Sequence, residues 1–167
     1  MSSSRKKVIV RKLSRDWVPG YLPADGFVRG GSVELLGLDG KVAFIDVTQV
    51  KWIAFVRDFN SGETANPERL LRKTFTGRPR TSGIFLRLRL TDGELLEGVA
   101  ANDSSLIASH GVFLTPPDTR SNTQRLWVPA GAVSELEAIS VIGNAAKPKP
   151  ASSQALETST SAQEELF

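Results

Sequence analysis

From residue 84 to residue 90 every second side chain is a large aliphatic one, Ile84, Leu86, Leu88 and Leu90, with Arg87 and Arg89 in between. That period of two is the mark of a β-strand, because successive side chains point to opposite faces of the chain. The run ends at Thr91-Asp92-Gly93-Glu94, where the glycine supplies the positive φ that a tight hairpin turn demands. A second Asp-Gly pair, Asp39-Gly40, separates residues 32–38 from residues 41–47 in the same manner. Near the N-terminus, Lys7-Val8-Ile9-Val10-Arg11-Lys12-Leu13 again mixes β-branched and basic residues. The longest apolar runs, residues 8–10 and 52–56, are far too short to span a bilayer. A chain punctuated in this way is expected to be mainly β, built from short hairpin-connected strands.

Laid side by side, the two halves follow one order. The first passes from Val8 through Val18-Pro19-Gly20-Tyr21 and Ser32-Val33-Glu34-Leu35-Leu36 to residues 42–53. The second passes from Ile84 through Leu96-Glu97-Gly98-Val99 and Gly111-Val112-Phe113-Leu114-Thr115 to residues 125–136. Repeats of about 60 residues with five short strands imply small β-barrels in tandem. A unit of that size buries only about 60% of its unfolded surface, so the two are expected to pack on each other or on another subunit. The organisation that follows is a first small barrel over 7–56, a basic linker over 57–83, a second small barrel over 84–143 and a disordered tail over 144–167. In the linker, Asn66 caps a short helix that starts at Pro67, with Glu68 at its positive end and Arg72 and Lys73 at its negative end. The tail is rich in Ala, Ser, Thr and Pro, with no apolar periodicity.

Catalysis finds little to work with. The chain has no cysteine and one histidine, which excludes thiol chemistry, disulfides, cysteine zinc sites and multi-histidine metal sites. His110 lies in the turn-like Ala108-Ser109-His110-Gly111, with no acid or nucleophile at an informative spacing. No glycine-rich phosphate loop leads into a helix, since Gly30-Gly31 precedes a strand. The expectation is a non-enzymatic protein with no catalytic residue, metal or cofactor. The N-terminus leads into alternating residues without the apolar core of a signal peptide, which makes the cytoplasm the expected compartment.

Charge is more informative. The net charge is +3, but the first 15 residues carry Arg5, Lys6, Lys7, Arg11, Lys12 and Arg15 and no acid. Residues 57–89 hold eight Arg or Lys against Asp58, Glu63 and Glu68. Such concentrations favour anionic partners. Guanidinium groups donate to phosphate in bidentate fashion, so Arg78, Arg80, Arg87 and Arg89 are candidates for RNA or nucleotide. Arg11 and Arg15 have the Arg-x-x-x-Arg spacing of PilZ-type cyclic-dinucleotide receptors. Those receptors also use an Asp-x-Ser-x-x-Gly turn, approximated here by Asp46-x-Thr48-x-x-Lys51, with lysine in place of the glycine. A different surface surrounds Trp17 and Tyr21, two large aromatics among Pro19, Gly20 and Pro23. Rigid apolar surface of that kind suits a protein contact, and strand edges invite a further copy of the chain. The leading expectation is therefore a non-catalytic interaction module that binds a protein partner or itself. The alternative is RNA or nucleotide binding, cyclic dinucleotides included.

Two resemblances fit these patterns. Leu88-Arg89-Leu90-Thr91-Asp92-Gly93-Glu94-Leu95-Leu96-Glu97-Gly98-Val99, followed by Asn102-Asp103, resembles the first motif of Sm-like small β-barrels. Arg125-Leu126-Trp127-Val128-Pro129-Ala130-Gly131-Ala132-Val133 is similar to that family's closing strand, turn and strand. The resemblance implies Sm-like or SH3-like barrels. The Arg-Gly or Lys-His pairs with which Sm proteins contact RNA are missing from the closing turns. The chain is also similar to a bacterial domain family in Val50-Lys51-Trp52-Ile53-Ala54-Phe55-Val56-Arg57-Asp58-Phe59, in the Asp-Gly-Glu-x-Leu-x-Gly strand at 92–98 and in Ser121-Asn122-Thr123-Gln124-Arg125-Leu126-Trp127-Val128. That resemblance implies a bacterial setting and brings no activity with it.

Overall fold

The computed structural model describes residues 5–24, 26–59, 71–108, 110–118 and 120–143 of the 167-residue chain. The tail expected over 144–167 lies outside these residues. So does the helix expected over 66–73, apart from residues 71–73, which belong to no helix.

The protein is mainly β. Its strands are β1 Lys6–Lys12, β2 Trp17–Leu22, β3 Val28–Arg29, β4 Ser32–Gly37, β5 Val42–Asp46 and β6 Val50–Val56, then β7 Gly83–Leu90, β8 Leu95–Ala100, β9 Gly111–Leu114, β10 Thr123–Pro129 and β11 Val133–Ile142. One helical turn, α1 Ser105–Ala108, precedes β9, and two 3-10 turns, Val47–Gln49 and Ala130–Ala132, precede β6 and β11. An eight-stranded sheet runs β3-β4-β2-β1-β6-β10-β9 with β5 on β4, and a three-stranded sheet runs β11-β7-β8. These sheets are open, and the larger one crosses the boundary between the two halves, because β6 pairs with β1 on one edge and β10 on the other. Strand β6 is buried along nearly its whole length, so the backbone groups of its second edge require hydrogen-bond partners, and β10 supplies them.

Within each half the register is the same. Lys12 N–H donates to the Asp16 carbonyl and Leu90 N–H to the Glu94 carbonyl, each at 2.9 Å. Residue Arg15 (φ 77) and residue Gly93 (φ 89) fill the same left-handed place in those two turns. Val8 faces Gly20 as Leu86 faces Gly98, and Tyr21 faces Leu36 as Val99 faces Thr115. Glu34 faces Phe44 as Phe113 faces Trp127, and Val33 faces Ile45 as Val112 faces Val128. Val10 faces Ile53 as Leu88 faces Leu136. Even the bulges agree: the ladder skips Lys51 between Val50 and Trp52, and Ser134 between Val133 and Glu135. The mid-strand glycines have a steric cause. A Cβ on Gly20 would lie 2.7 Å from Leu35 Cγ, and one on Gly98 2.8 Å from Leu114 Cβ.

The core has two clusters, and each draws on both halves. Val8, Val10, Leu22, Val33, Leu35, Ile45, Val50 and Ile53 gather around Trp127 of β10. Leu86, Leu88, Leu90, Leu96, Leu114, Leu126 and Val128 gather with Ile9, Trp52 and Ala54 of the first half. Central strands β1 and β6 thus bury both faces, which is why Val8-Ile9-Val10 and Trp52-Ile53-Ala54 read as continuous apolar runs.

Candidate functional site: strand edges and a basic cleft

The aromatic surface expected at Trp17 and Tyr21 is largely absorbed by the fold. Trp17 is half-buried against the second cluster, and the Arg11 guanidinium covers its ring at 4.3 Å. Tyr21 is half-buried too, edge-on to Phe59 with ring centroids 5.3 Å apart. The same geometry separates the roles of Arg11 and Arg15. Arg11 donates from Nη1 to the Arg15 carbonyl at 3.0 Å, while Arg15 is exposed on its turn. Asp46 accepts from the backbone N–H of Thr48 at 2.9 Å and from its hydroxyl at 2.8 Å. Those bonds, the backbone one foremost, hold its carboxyl below the usual range. Asp46 and Thr48 thereby cap the 3-10 turn, and Lys51 is engaged elsewhere.

The four linker and strand arginines divide into two pairs. Arg87 Nε donates to Glu97 Oε2 at 2.8 Å, with Glu137 3.7 Å from Nη1. Arg89 Nε lies 3.4 Å from Glu135. Alternation along β7 puts both arginines on the face where β8 and β11 present acids, so their charge is met locally. Arg78 and Arg80 are exposed, flank the buried Pro79 and form no ion pair among the described residues. With Arg72, expected from sequence at the negative end of a helix, they line a cleft of about 320 Å³ walled by Phe75, Pro116 and Pro117.

A charge network surrounds one buried lysine. The Lys51 side chain is 3% exposed, and its Nζ lies 2.6 Å from Asp92 Oδ2 and 2.8 Å from Glu94 Oε2. Lys73 Nζ reaches Glu94 Oε1 at 2.6 Å, and both ammonium groups lie near the Trp52 ring, at 4.9 and 5.8 Å from its centroid. Burial pulls the pKa of Lys51 down, but the hydrogen bonds and charges of Asp92 and Glu94 outweigh it, so the net shift is upward. Burial likewise pushes both carboxyls up, and the lysines overcome it: Asp92 and Glu94 end below their ordinary range. Glu97, also buried, accepts from Phe75 N–H at 2.8 Å and from Arg87. The network ties β6 to the β7–β8 turn and to the segment around Lys73. Its opposite charges lie within 2.8 Å of one another and so act as a clamp. No pattern in a lone lysine inside Val50-Lys51-Trp52-Ile53 announces such a role.

Among the described residues β3, β5, β8, β9 and β11 each have one strand neighbour. Strand β8 and the end of β9 are joined by the Val99–Thr115 bridge, and β3 is two residues long, which leaves β5 and β11 as the long exposed edges. Among the described residues β5 pairs only with β4, and β11 pairs only with β7. Phe44 on β5 is 69% exposed and Leu136 on β11 is 56% exposed. Beside Leu136 an open pocket of about 360 Å³ is lined by Leu106, Val112, Val128 and Val133. His110 lines a different cleft, with Gly30, Gly31, Val47 and Pro129. Among the described residues no group of His, Cys, Asp or Glu has the arrangement of a metal site, and no helix is long and apolar enough to cross a membrane.

The fold and these surfaces define a mainly β protein of short antiparallel strands in which, among the described residues, β5 and β11 are long exposed edge strands. Residues 4–140 match the family described as Family of unknown function (DUF6982), and the chain belongs to that family. No curated protein and no solved structure matches the chain.

Proposed function

We propose that this chain is a non-catalytic interaction module of the bacterial cytoplasm that engages a protein partner, or a further copy of itself, by adding strands to its open edges. In this reading each half is one copy of an Sm-like five-stranded unit, β6-β1-β2-β4-β5 and β11-β7-β8-β9-β10. The recurring register supports that reading. The observation that carries the function is the pair of edges β5 and β11, each with one neighbour and each presenting a large exposed apolar side chain, Phe44 and Leu136. Unpaired edges of this kind are templates for strand addition, and proteins that do not use them blunt them with charge or proline. A photoreactive amino acid at position 44 or 136 should yield protein adducts in the native host, whereas one at exposed Ser104 should not. Adducts equally abundant at Ser104, or absent at both edges, would refute the reading.

A second reading has its own observation. Arg72, Arg78 and Arg80 share one cleft and have no ion pair among the described residues, which suits a phosphate-bearing ligand such as RNA or a nucleotide. Two or three phosphate contacts predict about a 7- to 20-fold loss of single-stranded RNA affinity between 50 and 200 mM salt. Arg78→Glu combined with Arg80→Glu should abolish that binding and leave edge adducts unchanged. Absence of RNA binding by the wild type at 50 mM salt would sink this second reading.

A further inference from the structure

Among the described residues β6 and β10 form a strand junction between the two halves, and the edge strands β5 and β11 are the two components of a second such junction. In the internal junction β10 lies antiparallel on β6, with Trp127 opposite Ile53, Leu126 opposite Ala54 and Arg125 opposite Phe55. Strand β10 is the strand before the second 3-10 turn, and β6 is the strand after the first. What remains is the strand before the first turn, β5, and the strand after the second, β11. Among the described residues both are unpartnered on their outer edges.

Residue by residue the edges carry the junction's components. Phe44 faces Glu34 as Trp127 faces Phe113, so Phe44 occupies the place of Trp127. Leu136 faces Leu88 as Ile53 faces Val10, so Leu136 occupies the place of Ile53. Trp127 and Ile53 are fully buried, whereas Phe44 and Leu136 are the exposed members of their pairs. The receiving side agrees. Trp127 is buried in a cluster that includes Val33, Ile45, Val50 and Ile53. Their counterparts are Val112, Val128, Val133 and Leu136, and these four line the open pocket of about 360 Å³. In the first half that place holds an aromatic ring from β10, and in the second half it is open.

We infer that β5 of one copy pairs antiparallel with β11 of the next, with Phe44 opposite Leu136, Ala43 opposite Glu137 and Val42 opposite Ala138, and with the Phe44 ring seated in the pocket of Val112, Val128, Val133 and Leu136. This rests on the interaction-module reading and names its partner as a second copy, because the same chain supplies both the aromatic knob and the apolar hole. The contact joins unlike surfaces, so the assembly is head-to-tail and closes into a ring where the rotation per copy permits. Burying the Phe44 and Leu136 side chains supplies apolar area of the kind that drives association.

Light scattering after size exclusion tests this on the full chain at about 100 µM, a concentration that detects even weak association. The wild type should run as a multiple of its 18.1 kDa mass. Phe44→Glu and Leu136→Glu should each run as a single chain, since each destroys one edge. Mixed in equal amounts they should form a two-chain species and nothing larger, because one variant keeps its β11 and the other its β5. That rescue also shows that both variants are folded. A wild type that stays at the mass of one chain, a variant that alone remains assembled, or a mixture that stays single would each overturn the inference. If the wild type is single while a crosslinker at position 44 captures a different protein, self-association falls and the interaction-module reading survives. With no adduct either, both fall.

Discussion

Replacing Lys51 with methionine removes the one cation that joins β6 to the β7–β8 turn, while the Met side chain keeps the apolar contact of the lysine stem. Breaking a fully buried ion pair by deleting one partner costs about 3–5 kcal/mol. Here the cost is reduced on both acids. Asp92 is 43% exposed and can turn to water, and Glu94, at 28%, keeps Lys73. Two charge-assisted hydrogen bonds are lost, each worth about 1.5–3 kcal/mol before rehydration of the acids. The net expectation for Lys51→Met is a loss of about 1.5–3 kcal/mol, or roughly 5–10 °C in Tm for a chain of this size. The loss should depend on pH with a defined sign. Asp92 and Glu94 have folded-state pKa values below their ordinary ones. Their contribution is therefore complete above the ordinary carboxylate range and fades as pH falls below about 4. The Lys51 pKa is raised, so its contribution persists through neutral pH and is lost only above the ordinary lysine range. Urea titrations of wild type and variant at pH 7 and pH 3 read this directly. A difference under about 0.5 kcal/mol at pH 7, within the scatter of ordinary surface substitutions, or one that does not shrink at pH 3, would refute the clamp.

Other substitutions probe the shared register. Gly20→Ala and Gly98→Ala each drive a Cβ into the facing leucine and should cost about 1–3 kcal/mol. Gly131→Ala, with open space around it, should stay within about 0.5 kcal/mol in the same urea titration. Arg15→Gly relieves a left-handed residue, worth about 1–2 kcal/mol, against about 0.5–1 kcal/mol for the freer unfolded chain. The urea midpoint should rise, and a fall would show that the Arg15 side chain has a role its turn does not reveal. Phe44→Glu should leave monomer stability within about 0.5 kcal/mol, since the ring is mostly in solvent. A larger loss would make Phe44 part of the chain's own core.

The strands were legible because their signals are local. The alternation of residues 84–90 became β7, and both Asp-Gly pairs became turns with glycine at positive φ, 83° at Gly40 and 89° at Gly93. Strand β2 was harder to delimit, because Trp17, Pro19 and Gly20 read as a rigid surface loop. Pro19 nonetheless sits in the ladder opposite Ile9, and Gly20 is there because Leu35 leaves no room for a Cβ. The turn at Arg15 carried no glycine to announce it. The sites were less legible, since they depend on what lies opposite. Arg87 and Arg89 looked like free cations until β8 and β11 placed Glu97, Glu137 and Glu135 beside them. Lys51 has no acid near it in sequence, and only the β7–β8 turn delivers Asp92 and Glu94 to it. Phe44 and Leu136 showed nothing in sequence to separate them from core residues. Only the pairing of β6 with β10 reveals which edges remain open.

That pairing supplies the most direct test of head-to-tail edge association. The chain has no cysteine, so Phe44→Cys and Leu136→Cys can be placed on separate chains without background. Residues directly opposite in an antiparallel ladder have Cα atoms about 4.5–5.5 Å apart, within the range a disulfide spans. Mild oxidation of the two variants mixed in equal amounts, one carrying a mass tag, should give a crosslinked pair made of one tagged and one untagged chain, well above what either variant forms alone. Crosslinking that is absent, or no greater between unlike chains than between like ones, would contradict the account.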